Sequence, residues 1–273
     1  MKFFITISFF LILSLIVLIK TDKNKEQYSD YFFKNLRQIS AFEIKNENET
    51  FKIIKNKDDW FFQSGLKADK DISDYFLSVL ASAANSPILC REKDCSSVFQ
   101  IDEKSPKIIL YLEDKKLQIK IGKDSSSPFS CYAADNNGYI REFSGLSKAL
   151  IPSMTAFINK RIFSAGNPYK IKIIKKGRER EFIREEGEWF SYFGGLKKSY
   201  SSQIKKLINY PADSVSISKT QKKQAEIIFY NNNGENEKFF INISQKKVFA
   251  QKENFPEFTF EFPSDLFYFI DYQ

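Results

Sequence analysis

Histidine is absent from the 273 residues. Without an imidazole there is no Ser-His-Asp or Cys-His catalysis, and most catalytic zinc sites lose their usual ligand. Cysteine is scarce: Cys90, Cys95 and Cys131 are one short of a four-thiolate zinc site. No GxxxxGK[ST] loop occurs, so ATP-driven work would belong to a partner, and no GxGxxG follows a strand-like run. Glycine is low at 10 residues while Lys, Asn, Ile and Phe abound, a bias that carries no functional reading. No metal site and no cofactor are expected.

What is present points first to a membrane. "FFITISFFLILSLIVLI", Phe3 to Ile19, contains no charge. As a helix, 17 residues reach roughly 25 Å, enough for a bilayer core. The following "KTDKNKEQYSD" offers no small-x-small cleavage site, and no cysteine follows the run to carry a lipid. An uncleaved anchor over residues 1–20 is therefore preferred to a cleaved signal peptide or a buried helix, with residues 3–19 in contact with lipid. Lys20, Lys23 and Lys25 mildly favour a cytoplasmic body by charge bias. A short N-terminus before a large domain favours the opposite, and the expectation is a single-pass protein of the cytoplasmic membrane with its body on the extracytoplasmic side.

Hydrophobic residues at 42% and charged residues at 28% describe a globular body, and 29 Phe and 13 Tyr lean toward strands. After a stalk over 21–38, "ISAFEIKN", "ETFKIIKN" and "DWFFQ" alternate as a three-stranded meander. "ADKDISDYFLSVLASAAN" reads as a helix capped by Asp69 or Asp71, with Ile72, Phe76, Val79, Leu80 and Ala83 on one face. "KIILYLE" and "KLQIKIG" form a hairpin, as do "CYAAD" and "YIREF" around "NNG". "GLSKALIPSMTAFINKRIF" reads as a closing helix. The order then recurs: three strands ending in "EWFSYF", the helix "SYSSQIKKLINY", more strands, and a final helix in "PSDLFYFIDY". Two copies are too few for a solenoid. The expected fold is α+β: two repeated lobes, residues 39–163 and 164–273, each a mainly antiparallel sheet with packed helices, after an N-terminal transmembrane helix. The boundary falls near "FSAGNPY", Phe163 to Tyr169.

This arrangement resembles the domain-of-unknown-function family numbered 4340. The most specific stretch is "VFQIDEKSPKIILYLEDKKLQIKIGK", whose family version carries a Phe-Gly-Leu-Asp-x-Pro phrase before a hairpin ending in Ile-Gly. Phe99, Ile101, Asp102, Pro106, Ile121 and Gly122 hold those places here, Gln100 replaces the glycine, and the Asp102 to Pro106 spacing is stretched. The second repeat lacks the phrase. The resemblance implies a membrane-anchored protein with its repeats outside the cytoplasm, no enzymatic activity, and an accessory place beside the membrane subunit of an ABC-type transporter.

Several residues invite sharper chemistry. Acids in "KDD" (Lys57–Asp59) and "REEGE" (Arg184–Glu188) hold equivalent turns, where solvated loop residues are the expectation and a carboxylate-based hydrolase the remote alternative. Trp60 and Trp189 hold matching places, which favours core anchors over ligand-stacking rings. Cys90 has no evident activating base. The residues leave two thiol arrangements open: a Cys90–Cys95 bridge, suited to an oxidising compartment, or three unpaired thiols.

With a net charge of +8, the most distinctive surface is the run "KIKIIKKGRER". Lys170, Lys172, Lys175, Lys176, Arg178 and Arg180, extended by Lys197, Lys198, Lys205 and Lys206, form a candidate interaction surface for anionic headgroups or an acidic partner. Nucleic acid is not expected for an external body. The functional expectation is a non-catalytic accessory protein of an ABC-type transport system, with an envelope glycan- or lipid-binding module as the alternative.

Overall fold

The computed structural model describes residues 38–83, 86–112, 115–148, 151–163, 166–218, 222–244 and 247–268. The expected anchor and nearly all of the stalk lie outside the described residues. Among the described residues no helix is long and apolar enough to cross a membrane. The fold there is mostly antiparallel sheet in two lobes with three α-helices, and the chain divides between Phe157 and Ile158.

In the first unit β1 (Ala41–Lys45), β2 (Thr50–Asn56) and β3 (Asp59–Phe62) form the expected meander, followed by α1 (Lys70–Ala83). Asp69 caps α1, accepting the Ile72 amide at 3.1 Å. The buried stripe of α1 is Phe76, Leu77, Leu80, Ala81 and Ala83; Ile72 is exposed, so the stripe runs through Leu77 instead. The chain then supplies β4 (Ile88–Arg91), α2 (Glu92–Phe99), β5 (Lys107–Tyr111), β6 (Lys116–Asp124), β7 (Ser130–Ala134) and β8 (Tyr139–Ser144). The sheet order is β3-β2-β1-β5-β6-β7-β8-β4. The chain leaves one edge at β3, passes through α1 and joins the other edge at β4.

The second unit contains β9 (Pro168–Lys175), β10 (Arg178–Glu185), β11 (Glu188–Phe193), β12 (Leu196–Ser199), α3 (Ser201–Asn209), β13 (Ser214–Ile217), β14 (Ala225–Asn231), β15 (Asn236–Ser244), β16 (Lys247–Lys252) and β17 (Phe255–Pro263). Its order is β12-β11-β10-β9-β14-β15-β16-β17-β13. Placing β9 on β1 and β14 on β5 reproduces the first sheet strand for strand, with β12 added at one edge. The first unit has α2 where the second has no described helix.

Period-two alternation fills both cores. In the first, Phe42 sits 5.4 Å from Trp60 and 5.5 Å from both Phe76 and Phe157, ring centre to ring centre. In the second, Phe163 touches Phe229 at 5.6 Å, Phe239 at 4.9 Å and Phe262 at 5.2 Å. The division thus falls a few residues ahead of the Phe163–Tyr169 stretch, because Phe163 already belongs to the second core.

Within the two expected closing helices the described residues form 3₁₀ turns at Met154–Phe157 and Ser264–Phe267, while 149–150 and 269–273 lie outside the described residues. Gly145, with φ of +83°, stops helical continuation after β8, and Pro152 lacks the amide a helix interior would need. Each turn still delivers a phenylalanine, Phe157 or Phe267, that is almost wholly buried. Truncating Phe163 to alanine removes the centre of the second aromatic cluster. The variant is expected to lose about 3–5 kcal/mol in a urea titration; a loss below about 1 kcal/mol would show that the cluster does not hold the second unit.

Candidate functional site

The basic run does not make one patch. Lys170 and Lys172 alternate with Ile171 and Ile173 on β9, so they leave the core face together, as their spacing suggests. The antiparallel neighbour brings matching acids: Lys170 donates to Glu181 at 2.7 Å and Lys172 to Glu179 at 2.6 Å. The hydrogen bond from Lys172 to Glu179 raises the lysine's pKa. Lys197 donates to Glu185 at 2.6 Å, Lys205 to Glu188 at 2.6 Å and Lys206 to Asp265 at 3.0 Å. Lys175 and Lys176 sit at the β9–β10 turn, beside a shallow groove of about 470 Å³ shared with Lys223 and Glu226. Arg178, Arg180 and Lys198 line something different.

That feature is a split in the sheet. β10 and β11 pair only next to their turn, from Glu185–Glu188 to Ile183–Phe190. Beyond Ile183, β10 stays with β9, whereas β11 stays with β12 out to Phe193–Leu196. The strands part into a cleft of about 960 Å³ lined on one side by Arg178, Glu179, Arg180, Glu181 and Ile183, and on the other by Ser191, Tyr192, Phe193, Lys198 and Tyr200. Arg180 reaches across it: Nε lies 3.5 Å from Ser191 Oγ, the guanidinium donates to the Tyr200 hydroxyl, and its carbon stands 4.5 Å from the Tyr200 ring centre. Phe193 is 85% and Leu196 76% exposed at the hairpin tip, so the rim is apolar and open.

The cleft has a sequence cause. In the first unit the Ala68 amide donates to the Trp60 carbonyl at 2.8 Å; in the second the Tyr200 amide makes the same bond to Trp189 at 2.8 Å. The chain between those anchors is three residues longer in the second unit. The extra length builds the β11–β12 hairpin around Gly194 and Gly195, whose φ values of +55° and +83° suit a two-residue turn. "FGGL" between two short alternating runs carried this signal, although sequence reasoning did not place β12.

The remaining candidates are structural. Trp60 and Trp189 are buried, and Trp60 Nε1 donates to Asp74 on α1 at 2.8 Å. Asp59, next to the first turn, accepts Lys67 at 3.0 Å. In the second turn, hydrogen bonds from Lys197 and Lys205 hold Glu185 and Glu188 below the usual carboxylate range, opposite to what a general acid requires. No group of three or more His, Cys, Asp or Glu among the described residues is placed to hold a metal.

Cys90 and Cys95 form a disulfide, Cα atoms 6.6 Å apart, and Cys131 is a buried free thiol. The bridge spans the end of β4 and α2, a short charged helix with no buried residue, which explains why hydrophobic periodicity did not reveal it. The residues carrying the family resemblance pack here. Phe99 packs at a tilt against Tyr132, ring centres 4.5 Å apart, and Ile101 joins Ala134 and Ile140. Asp102 Oδ1 accepts the Lys104 amide at 2.9 Å, and the Ile121 amide donates to Pro106 O at 2.8 Å. A Cβ on Gly122 would lie 2.3 Å from Phe99 O, so only glycine fits beneath that carbonyl. Gln100 ends α2 in the left-handed region, φ +54° and ψ +47°, where glycine is favoured.

Comparison with family models and with curated proteins finds no match to this chain.

Two outcomes follow from this geometry. Gln100→Gly relieves the left-handed strain and is expected to stabilise the chain by about 1 kcal/mol in urea unfolding; a destabilised variant would show that the Gln100 side chain matters more than its backbone. Burial first, then the Asp124 and Glu142 charges, push the Cys131 thiol up to about 12 from its ordinary 9.0. A thiol with a raised folded pKa is neutral in both states below its unfolded value, and stability falls as pH climbs between the two. The folded chain should therefore leave Cys131 unreacted with an alkylating reagent at about pH 8. Its urea midpoint should fall above about pH 9 more steeply than that of Cys131→Ala. Equal slopes would exclude the thiol as the cause.

Proposed function

We propose that the chain is a non-catalytic accessory protein tethered to the cytoplasmic membrane by residues 3–19, with its body outside the cytoplasm, serving an ABC-type transport assembly. The family resemblance over residues 39–163 suggests the partner, a transporter membrane subunit. The observation that carries the placement is the Cys90–Cys95 disulfide, since such a bridge persists in oxidising compartments and is rare in the cytosol. The common strand order of the two units supports the repeat reading, in which one ancestral unit was doubled. The family-like residues at 99–122 fit a scaffold, because each is used in packing or turn geometry. The mechanism is tethering: an anchor confines the lobes near the membrane and makes weak contacts effective through local concentration.

A second reading, an envelope module for glycan or lipid, is favoured by the aromatic rings of Tyr192, Phe193 and Tyr200 around the cleft.

Sidedness is tested by fusing alkaline phosphatase or green fluorescent protein to the C-terminus. Active phosphatase with a dark fluorescent fusion is expected, and the reverse pattern overturns the external placement. Affinity capture of the detergent-solubilised chain is expected to recover a transporter membrane subunit; recovery of none overturns the accessory assignment.

A further inference from the structure

We propose that the cleft between β10 and β11 receives an extended, acidic segment of a partner protein, bound as an added strand. This goes beyond the accessory reading and holds on whichever side of the membrane the body lies.

The backbone supplies the first argument. The β9–β10 turn has two residues, Lys176 and Gly177, closed by Lys175 and Arg178. A two-residue hairpin makes its closing pair a hydrogen-bonded one, and the pattern alternates from there. Arg178, Arg180 and Phe182 therefore aim their amides and carbonyls at β9, while Glu179 and Glu181 aim theirs the other way. The same count from the Gly194–Gly195 turn points Phe193 and Ser191 at β12 and leaves Tyr192 directed at β10. Glu179, Glu181 and Tyr192 lie beyond the last paired residues, Ile183 and Phe190, and all three line the cleft. Their main-chain groups are presented as a strand edge presents them, which is the surface that β-augmentation uses.

Charge supplies the second. Alternation sends Glu179 and Glu181 side chains to the face where Lys172 and Lys170 hold them. Arg178 and Arg180 fall on the opposite face, and Lys198 stands over Tyr200 on the other wall, 5.4 Å from its ring centre. Glu179 and Glu181 are turned away from Arg178 and Lys198, so these two cations complement an anionic ligand. Phe193 and Leu196 at the rim offer apolar contact to alternate side chains. Arg178, Lys198, Phe193 and Leu196 fall on one face of the sheet, so a ligand whose acidic and apolar groups share one face of an extended backbone matches all three features.

The test selects binders to the full solubilised chain from a random dodecapeptide display library, then measures the most enriched peptide by fluorescence polarisation. Enriched sequences are expected to be acidic. Arg178→Glu and Lys198→Glu, both at exposed positions, should each weaken the peptide about tenfold or more. N-methylation at alternate peptide amides should abolish binding without altering the protein. Amide exchange at Glu179, Glu181 and Tyr192 should slow on binding. The proposal is overturned by absent or charge-neutral enrichment, or by indifference to N-methylation or to both charge reversals. It is equally overturned if polygalacturonate or anionic phospholipid vesicles occupy the cleft while no peptide does. Failure of the membrane or transporter assignment would leave each of these readouts in place.

Discussion

Each sheet depends on a tryptophan at the start of its third strand, where the chain must leave the sheet. Trp60 and Trp189 are buried, and the carbonyl of each accepts the amide of the residue that leads into the following helix, Ala68 or Tyr200. A ring of that size removes a large apolar area from water while the backbone bond fixes where the strand turns away. Once that point is set, the helix crosses the sheet and the next strand joins the far edge, β4 in one unit and β13 in the other. The chain then returns to the centre beside the first strand, and hairpins complete the order. The two units secure their helices differently: Trp60 hands its indole proton to Asp74 on α1, whereas the Trp189 amide donates to Ser201 Oγ at 2.7 Å as α3 begins.

A common frame isolates what is not common. The first unit spends its insertion on α2 and the loop that lays Phe99 over Gly122, tied to β4 by the Cys90–Cys95 bridge. That segment is rigidified by ring contact, by Asp102 and by the disulfide, and its chemistry is used up internally. The second unit spends three residues on lengthening β11 and β12. Lengthening a hairpin whose base is held by Trp189 carries its tip away from β10, so the ladder ends after one turn's worth of pairs. The cleft is a consequence of hairpin length acting on a fixed anchor.

Much of the frame was legible. The meanders, the β5–β6 and β7–β8 hairpins and α1 stood out because alternation, turn residues and the Asp69 cap all pointed one way. Long-range order was less legible: nothing in residues 88–91 announces a strand edge, and α2 buries no side chain. The extended helix read into residues 145–163 failed because apolar spacing outweighed Gly145 and Pro152 in that reading, while the local backbone obeyed the breakers. The disulfide was one of two open choices, and Cys90 proves to precede a helix that sequence reasoning had not drawn.

The basic run shows why a charge count along the chain misjudges a surface made of strands. Lys170 and Lys172 look unopposed in sequence, yet the acids that meet them, Glu181 and Glu179, arrive through a two-residue turn. Antiparallel pairing of "KIKIIK" with "REREFI" brings Lys170 and Lys172 diagonally to Glu181 and Glu179 on one face and leaves the arginines of the same strand on the other. Charge is sorted by face, not by position along the chain. A surface lysine so paired contributes little to stability and little to long-range attraction. The positive character offered to a ligand is thus gathered on the face of β10 that carries Arg178, where its ladder to β11 has ended.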